Sequence, residues 1–278
     1  MLYMLRNFSI AGKLSVMIIV AMCIMAIFAP WIAKHPWNEP SGRALEAPNP
    51  HHILGTDDLG IDLWAQICYG ARNSLIVGIG TAVLASLLGT LLGIVSGYFG
   101  GIPDLIITAL IDIMIAIPSL PVMIVAGVFF GPSIKNIIII LALLSWAMPA
   151  RIVRSKVLAL REEAYIKIAK GYGANFSYIT LKHFVPQLFP ICATTFIKLI
   201  SRAIVSEASL SFLGLGDPTS KSWGLILNFA LNFPGIYFTD YWKWWVVYPL
   251  AFIICLVLAT AVVSRELEKV VDSKISLS

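Results

Sequence analysis

The sequence predicts an all-α membrane protein with six transmembrane helices. Of its 278 residues, 59% are hydrophobic and only 13% are charged, and the mean hydropathy is +0.87. Soluble domains contain about 25% charged residues, so this composition is typical of a multi-pass membrane protein. Several segments also approach the roughly 20 apolar residues that a membrane-spanning helix needs.

Apolar segments alternate with polar ones along the whole chain. The first apolar segment exceeds the roughly 7–15 residues of a signal-peptide core, which favours an uncleaved helix. The predicted spans are residues 14–33, 75–98, 105–128, 134–150, 187–206 and 244–263. They divide the chain into an N-terminal part (1–73: an inner segment, the first helix and an outer segment), a transmembrane domain (74–264) and an inner tail (265–278). The transmembrane domain contains a long inner loop, 151–185, and an outer segment, 207–243.

The distribution of basic residues predicts the orientation of the spans. With the N-terminus in the cytoplasm, the inner segments hold twelve Lys and Arg residues and the outer segments hold six. Cytoplasmic segments are enriched in these residues, so both termini are expected to be cytoplasmic. The aromatic cluster YWKWWVVY, residues 241–248, is typical of a membrane interface at the outer end of the last span. The net charge of +5 therefore needs no nucleic-acid partner to explain it.

Small residues recur at every fourth position of the second span. They are Ala85, Gly89, Gly93 and Gly97. This spacing places them on one helix face, where a neighbouring backbone can approach closely. The alternative is that glycine is simply frequent in membrane helices, but three successive repeats favour a packing face.

The inner loop contains a short amphipathic helix, predicted over residues 160–173. Leu160, Ala164, Tyr165, Ile168, Ala169 and Tyr172 fall on one half of the helical wheel, whereas Glu163, Lys167 and Lys170 lie opposite, with Glu163 and Lys167 paired. Gly171 and Gly173 provide a stop. Too few residues surround this helix to form a domain that would bury its apolar half. It either rests on the lipid surface or fills a groove on a partner protein.

The same stretch resembles the coupling loop of importer permeases in the ATP-binding cassette (ABC) superfamily, in the version used by peptide-type permeases. The matching residues are Tyr165, Ala169, Gly173, Ala174, His183 and Pro186. Two further stretches resemble one of the two permease subunits of dipeptide, oligopeptide and nickel importers: HHILGTDDLGIDLWAQICYGARNSL, 51–75, and SEASLSFLGLGDPTSKSWG, 206–224. Ile61 and Gln66 stand where that family usually has arginine.

This resemblance implies a type I importer permease fold with a cytoplasmic coupling helix, in a prokaryotic plasma membrane. It implies four kinds of contact: a second homologous permease, two ATP-binding subunits, an extracellular solute-binding protein and membrane lipid. ATP and magnesium would be bound by the partner subunits, and no cofactor by this chain. Ile168 and Tyr172 would join the matching residues in docking to the ATPase. Phe212, Gly214, Gly216, Trp223 and Gly224 would form an outer gate segment.

Four charged residues lie in or near predicted spans: Asp112, Lys198, Arg202 and Glu207. Charges at the bilayer centre are costly, so they usually face a partner or a wet cavity. Two alternatives remain open, namely lining of the transport pathway and ion pairs that fix helices, for example Asp112 with Arg202.

Other classes of function are less well supported by the residues. His51, His52, Asp57 and Asp58 are weighed as metal ligands, but no metal site is expected. A stand-alone secondary transporter or channel would show matching interrupted spans in its two halves, and an intramembrane enzyme would need a convergent catalytic set. Neither pattern is evident. The expected function is transport of peptides or related small solutes, including nickel or metal chelates, with no enzymatic activity in this chain.

Overall fold

The computed structural model describes the backbone of residues 8–275 and the side chains of residues 8–270. Every regular element in this part of the chain is a helix, and five are long and apolar enough to cross a membrane. A sixth crossing results if two helices joined by a sharp bend count as one span. The predicted all-α membrane fold is confirmed. Residues 1–7 and 276–278, which belong to the predicted inner segment and tail, lie outside the described residues.

The first span is α1 (Ile10–Ile27), followed by the short α2 (Ala29–Ile32). Ser9 precedes α1 and accepts a hydrogen bond from the backbone N–H of Gly12 at 3.1 Å, which satisfies one of the free donors of the first turn. Residues 33–62 then form an irregular segment before the next helix.

The central helix is α3 (Leu63–Phe99). The Asp62 carboxylate caps its start by accepting from the Ala65 N–H at 2.8 Å. At 1.5 Å per residue its 37 residues extend about 55 Å, well beyond the roughly 30 Å hydrocarbon core. The predicted span 75–98 is therefore only the later part of this helix. Gly100, with a φ of +64°, turns the chain directly into the next helix.

The third predicted span, 105–128, is wrong as a single helix. The structure has two helices, α4 (Gly101–Ala116) and α5 (Ser119–Phe130), bent by 90° relative to each other. The cause is Pro118, because the ring of a proline forces the preceding residue out of the helical region. Ile117 accordingly adopts extended backbone angles of −73° and 128°.

Two predicted boundaries in the next part of the chain are also corrected. The fourth span does not end at residue 150, since α6 (Ile134–Ser145) and α7 (Ala147–Arg161) form one continuous span of 28 residues. Arg151 and Arg154 thus belong to a spanning segment and not to the inner loop. The fifth span, predicted as 187–206, is part of a longer segment, Phe176–Phe212.

The inner loop and the fifth span comprise four elements. They are α8 (Ala164–Gly171), α9 (Phe176–Ile179), a π-helical stretch (Thr180–Phe184) and α10 (Val185–Phe212). The outer segment contains α11 (Trp223–Asn232) and α12 (Trp242–Trp245). The last span, α13 (Val247–Ile275), continues well into the predicted tail.

Helix α3 occupies the centre of the bundle and packs against α1, α6, α7 and α10. A Cβ atom on Gly89 would lie 2.6 Å from the carbonyl oxygen of Trp146, and one on Gly93 would lie 2.7 Å from that of Ala150. Gly97 similarly faces Val157. The glycines therefore allow close contact between the α3 and α7 backbones. Ala85 is buried one turn earlier, in a cluster with Ala142 and Leu199.

Candidate functional site

The candidate site is the surface formed by α8, in the predicted inner loop, and by the residues that follow it. The predicted helix 160–173 is in fact two elements. Leu160 belongs to the last turn of α7 and is buried, and the chain turns at Glu162 and Glu163 before α8 begins. Glu163 therefore precedes the helix and does not pair with Lys167. Glu162 pairs with it instead, with a Lys167 Nζ to carboxylate distance of 2.9 Å, and this hydrogen bond lowers the pKa of Glu162.

Gly173 ends α8 in the left-handed conformation, with a φ of +84°. The Ala174 N–H donates to the Ala169 carbonyl and the Gly173 N–H to the Lys170 carbonyl, both at 3.0 Å. This is the Schellman arrangement, in which glycine is favoured because a Cβ is strained at positive φ. No atom lies within 4 Å of the position a Cβ on Gly173 would take, so backbone strain and not crowding selects glycine here.

One face of α8 is apolar and exposed. Tyr172 is 90% exposed, Ile168 is 59% exposed and Tyr165 is 38% exposed. With Ala169, Gly173, Ala174, Tyr178 and His183 they line a shallow groove of about 490 Å³. The His183 ring lies between the rings of Tyr165 and Tyr178, at centroid distances of 5.6 and 5.9 Å. Large apolar side chains left uncovered in this way are typical of an interaction surface.

The opposite side of α8 is attached to the rest of the molecule. Ile166 is fully buried in a cluster with Val157 and Leu160 of α7 and with Phe184 and Leu188. A wheel analysis that groups α8 into one apolar and one polar half misses this residue, since its neighbours on the wheel are charged. The isolated isoleucine between charged positions is the signal that identifies a second, inward contact.

Two polar contacts add to the attachment of α8. The Lys170 ammonium lies 4.3 Å from the centroid of the Tyr98 ring in α3, a cation–π contact. Burial and the nearby Arg161 lower the pKa of Lys170. On the other side, the Gln187 side chain donates to the Tyr165 hydroxyl at 2.7 Å, which links α8 to the start of α10, one residue after the exposed Pro186.

Trp223 and two glycines pack the outer segment closely against the helix bundle. Trp223 is fully buried and donates its indole N–H to the Ile67 carbonyl at 3.0 Å. A Cβ on Gly224 would overlap the Ala208 carbonyl oxygen, and one on Gly216 would overlap the Ser211 hydroxyl. Gly214 has a φ of +81° at the end of α10, and the preceding Phe212 is 42% exposed.

The stretch 51–66 forms a compact turn against the start of α3. The buried Asp57 accepts from the Ile61 N–H at 2.9 Å and from the Gln66 side chain at 2.7 Å. Both Ile61 and Gln66 are buried in this turn, and their bonds to Asp57 stabilise it. Nearby, burial lowers the pKa of Lys221, and burial together with Asp57 raises the pKa of Asp58.

The four residues weighed as metal ligands do not converge. His52 instead pairs with Asp62 at 2.8 Å, and His35, which the sequence reasoning missed, brings a third potential donor within 4.8 Å of both. These donors already have partners. Asp62 also caps α3, and His35 contacts the His51 carbonyl at 3.1 Å.

The charges in the spans have other partners than expected. Asp112 pairs with Arg151 of α7 and not with Arg202, which is exposed and forms no ion pair within residues 8–270. The reason is that Arg151 lies within the helix α7 that packs directly on α4. Lys198 pairs with Glu268 of α13.

Glu207 is buried without a cation, among the residues that the structure describes. It accepts hydrogen bonds from Ser211 at 2.6 Å and from Ser74 at 3.3 Å. These bonds tie the end of α10 to α3 beneath the outer segment.

Comparison with known proteins identifies the class of the chain. Residues 89–277 match the family described as binding-protein-dependent transport system inner membrane component. Over 266 residues the chain is 34% identical to the oligopeptide transport system permease protein OppC of Bacillus subtilis, an alignment that covers 95% of this chain and 86% of the relative.

Two further relatives have similar names. The dipeptide transport system permease protein DppC of Alkalihalophilus pseudofirmus is 36% identical over 92% of this chain and 84% of its own length. The probable D,D-dipeptide transport system permease protein DdpC of Escherichia coli is 34% identical over 86% of this chain and 80% of its own length.

Proposed function

Because the chain belongs to the family of binding-protein-dependent transport system inner membrane components and is a permease subunit of an ABC importer, we propose that it conducts peptides and is driven through α8. In this proposal α8 docks into a cleft of a partner ATPase, and movement of the ATPase tips the permease between its inward- and outward-facing states. Peptide cargo is supported by the names of the relatives. Nothing in the names of these relatives supports nickel.

The single observation that supports docking is that α8 has two contrasting apolar surfaces. Ile166 is fully buried against the bundle, whereas Tyr172 and Ile168 are exposed on the other side. A helix that only rested on lipid would need no internal anchor of this kind. A lever needs both surfaces, because it must hold its partner and transmit the partner's displacement.

The anchor also gives a route for that displacement. Ile166 shares its cluster with Val157 of α7, with Phe184 at the end of the π-helical stretch and with Leu188 of α10. Close-packed side chains resist compression and transmit strain. A shift of α8 therefore acts on two spanning helices at once, and the Tyr165–Gln187 hydrogen bond couples it further to α10.

We assign the remaining parts of the importer as follows. A second homologous permease completes the pathway, two ATP-binding subunits lie on the cytoplasmic side and hold ATP and magnesium, and a solute-binding protein delivers the cargo outside. Both termini of this chain are cytoplasmic, which puts α8 on the ATPase side and Trp223 on the outer side. A stand-alone transporter would have no use for the exposed α8 face.

The test compares two glycines with matched backbone strain. Gly173 and Gly131 both have positive φ, +84° and +80°, and neither has an atom within 4 Å of a Cβ. In the reconstituted importer, Gly173→Val is expected to lower peptide uptake per ATP hydrolysed about tenfold, a coupling loss within the usual range for linked sites. Gly131→Val, in the connection between α5 and α6, is expected to leave this ratio within about twofold.

Two results would refute the docking proposal. One is unchanged coupling in the Gly173→Val importer. The other is equal loss in both variants, which would mean that strain at any loop disturbs the fold. Site-specific cross-linking from Tyr172→Cys to the ATPase provides independent evidence, since a lipid-bound helix gives no cross-linked product.

A further inference from the structure

We propose that the Asp112–Arg151 ion pair faces the water-filled transport route and contacts the ionised ends of the peptide as it passes. This inference rests on the proposed function, because it assigns a recognition element to the same pathway. The recognising chemistry is simple: a carboxylate for the peptide ammonium and a guanidinium for the peptide carboxylate. The sequence left pathway lining by Asp112 open, but it placed Arg151 in the predicted inner loop and so gave no such pair.

The pair is placed deep within spanning segments. Asp112 is eleven residues beyond the start of α4, which corresponds to about 17 Å along the helix axis. In the proposed orientation α4 starts at the cytoplasmic side, so Asp112 lies near the middle of the membrane. Arg151 lies on α7, ten residues before the inner end of that helix.

The pair is also exposed, in contrast to a second ion pair between the same two helices. The Asp112 and Arg151 side chains are 58% and 49% exposed, whereas those of Asp104 and Arg154 are 21% and 27% exposed. Asp104 accepts a second bond from Arg154 at 2.8 Å and one from Ser96. The Asp104–Arg154 pair therefore already fixes α4 against α7, and the exposed pair is not needed for packing.

Lipid is a poor environment for this pair. The exposed residues of α7 are Met148, Arg151, Ile152, Ser155 and Ala159, so a charged, a polar and a small residue recur at successive turns beside two apolar ones. By comparison, the exposed residues of α13 between 247 and 261 are all apolar, as expected for a lipid-facing surface. Charged groups in spans face the bundle interior, a partner or a water-filled cavity. The exposed face of α7 thus carries a charged and a polar residue, Arg151 and Ser155, which the exposed face of α13 lacks over residues 247–261.

The geometry of the pair suits weak, transient binding of a ligand better than tight binding. Exposed ion pairs are weak and open at little cost. A zwitterionic peptide can therefore replace the single Asp112–Arg151 bond by two, its ammonium with Asp112 and its carboxylate with Arg151. Arginine binds carboxylates with two parallel hydrogen bonds, which favours it at such a site. Contacts of this strength allow entry and also release.

The first experiment measures water access next to the pair. Met148 lies one turn from Arg151, towards the outer side, and is 44% exposed. In the reconstituted importer, Met148→Cys is expected to react with a charged, membrane-impermeant thiol reagent at least about tenfold faster than Leu258→Cys, since only a hydrated thiol ionises and reacts. Leu258 is 60% exposed on α13 and serves as the lipid-facing control. Labelling of the native cysteines is subtracted with the unsubstituted chain.

Equal, slow labelling of both cysteines would overturn the proposal, because the pair would then face lipid or be covered by the second permease. This measurement needs no cargo. Its result therefore tests this inference separately from the proposed function. The proposed function fails if the importer hydrolyses ATP without stimulation by peptide and without peptide uptake.

The second experiment tests the charges. Arg151→Gln is expected to lower peptide uptake at least about fivefold, and Arg151→Lys to restore at least half of it, because a lysine keeps the charge although not the fork of donors. Lys243→Gln, which removes an exposed pair with Asp240 at the start of the last spanning segment, is the control and should transport normally. Normal uptake by Arg151→Gln would overturn the proposal. If that variant does not assemble, the labelling of Met148→Cys decides.

Discussion

Two helices in this molecule end in the same capping conformation, but the surroundings of the two caps differ. At Gly173, in the predicted inner loop, and at Gly214, in the predicted outer segment, the chain has a φ of +84° and +81°. Ala174 bonds back to Ala169, and Leu215 bonds back to Leu210 in the same pattern. After the outer cap the chain folds over its own bundle and buries the fully enclosed Trp223. At the inner cap the apolar face of α8 stays uncovered.

The difference shows that this chain itself covers the apolar surface beside Gly214, whereas it leaves the apolar surface beside Gly173 uncovered. The outer segment satisfies its apolar groups and its indole N–H internally. The α8 surface keeps Tyr172 and Ile168 exposed beside a groove. Substitutions in the outer segment should therefore act on stability, and substitutions on the α8 face should act on coupling to the ATPase.

The largest expected effect is at Gly224. A Cβ there overlaps the Ala208 carbonyl oxygen, which belongs to the backbone and yields little. Gly224→Ala should destabilise the protein by about 1–3 kcal/mol, as overpacking does in other cores. The measurement is thermal unfolding of the purified importer. Gly171→Ala, where the Cβ meets no atom within 4 Å, is the matched substitution on α8 and should leave the Tm unchanged or slightly higher.

Trp223→Phe should have the next largest effect on stability. It removes the indole N–H and leaves the buried Ile67 carbonyl without that partner, at a cost of about 1–3 kcal/mol. Tyr172→Ala on α8 should change stability by no more than about 0.5 kcal/mol, since the side chain is exposed. It should nevertheless lower peptide-stimulated ATP hydrolysis. A Tyr172→Ala importer with a clearly lower Tm would contradict the contrast between the two regions.

The two capping glycines provide a matched pair of intermediate size. Gly173→Ala and Gly214→Ala place the same methyl group at the same backbone angles, with no atom within 4 Å in either case. Each should cost about 1–2 kcal/mol of local strain. Only the inner variant should lower uptake per ATP. If Gly214→Ala lowered uptake per ATP as much as Gly173→Ala does, the strain in the helix cap, and not the surface around it, would determine the loss of coupling.

The smallest effect is expected for the Glu162–Lys167 pair at the start of α8. The hydrogen bond from Lys167 lowers the pKa of Glu162. The contribution of this pair to the stability of the fold is therefore fully present above the ordinary pKa of a glutamate, and it is lost as the pH falls through the lowered pKa. Uptake should therefore not vary through this group between about pH 6 and 8. Glu162→Gln should match the wild type in uptake across this range. A pH-dependent difference between the two would refute this assignment.

The sequence by itself determined the class of fold and several local features. Long apolar segments fix membrane-spanning helices because the backbone must satisfy its own hydrogen bonds in lipid. The Gly89–Gly93–Gly97 spacing and the positive φ of Gly173 follow from local chemistry, and the structure places these residues accordingly. The motifs around 51–75 and 206–224 were sufficient to indicate the family.

The tertiary structure decided the contacts between distant elements. Ile166 is an anchor only because α7 and α10 meet beside it, and Arg151 reaches Asp112 only because α7 continues through the predicted loop and packs on α4. Hydropathy missed that continuation, since the closely spaced Arg151, Arg154 and Lys156 lower the local hydropathy and a partner from another helix is given no weight. The physical reason is general: chain-local rules fix hydrogen bonds and backbone angles, whereas burial and ion pairing depend on which helices become neighbours.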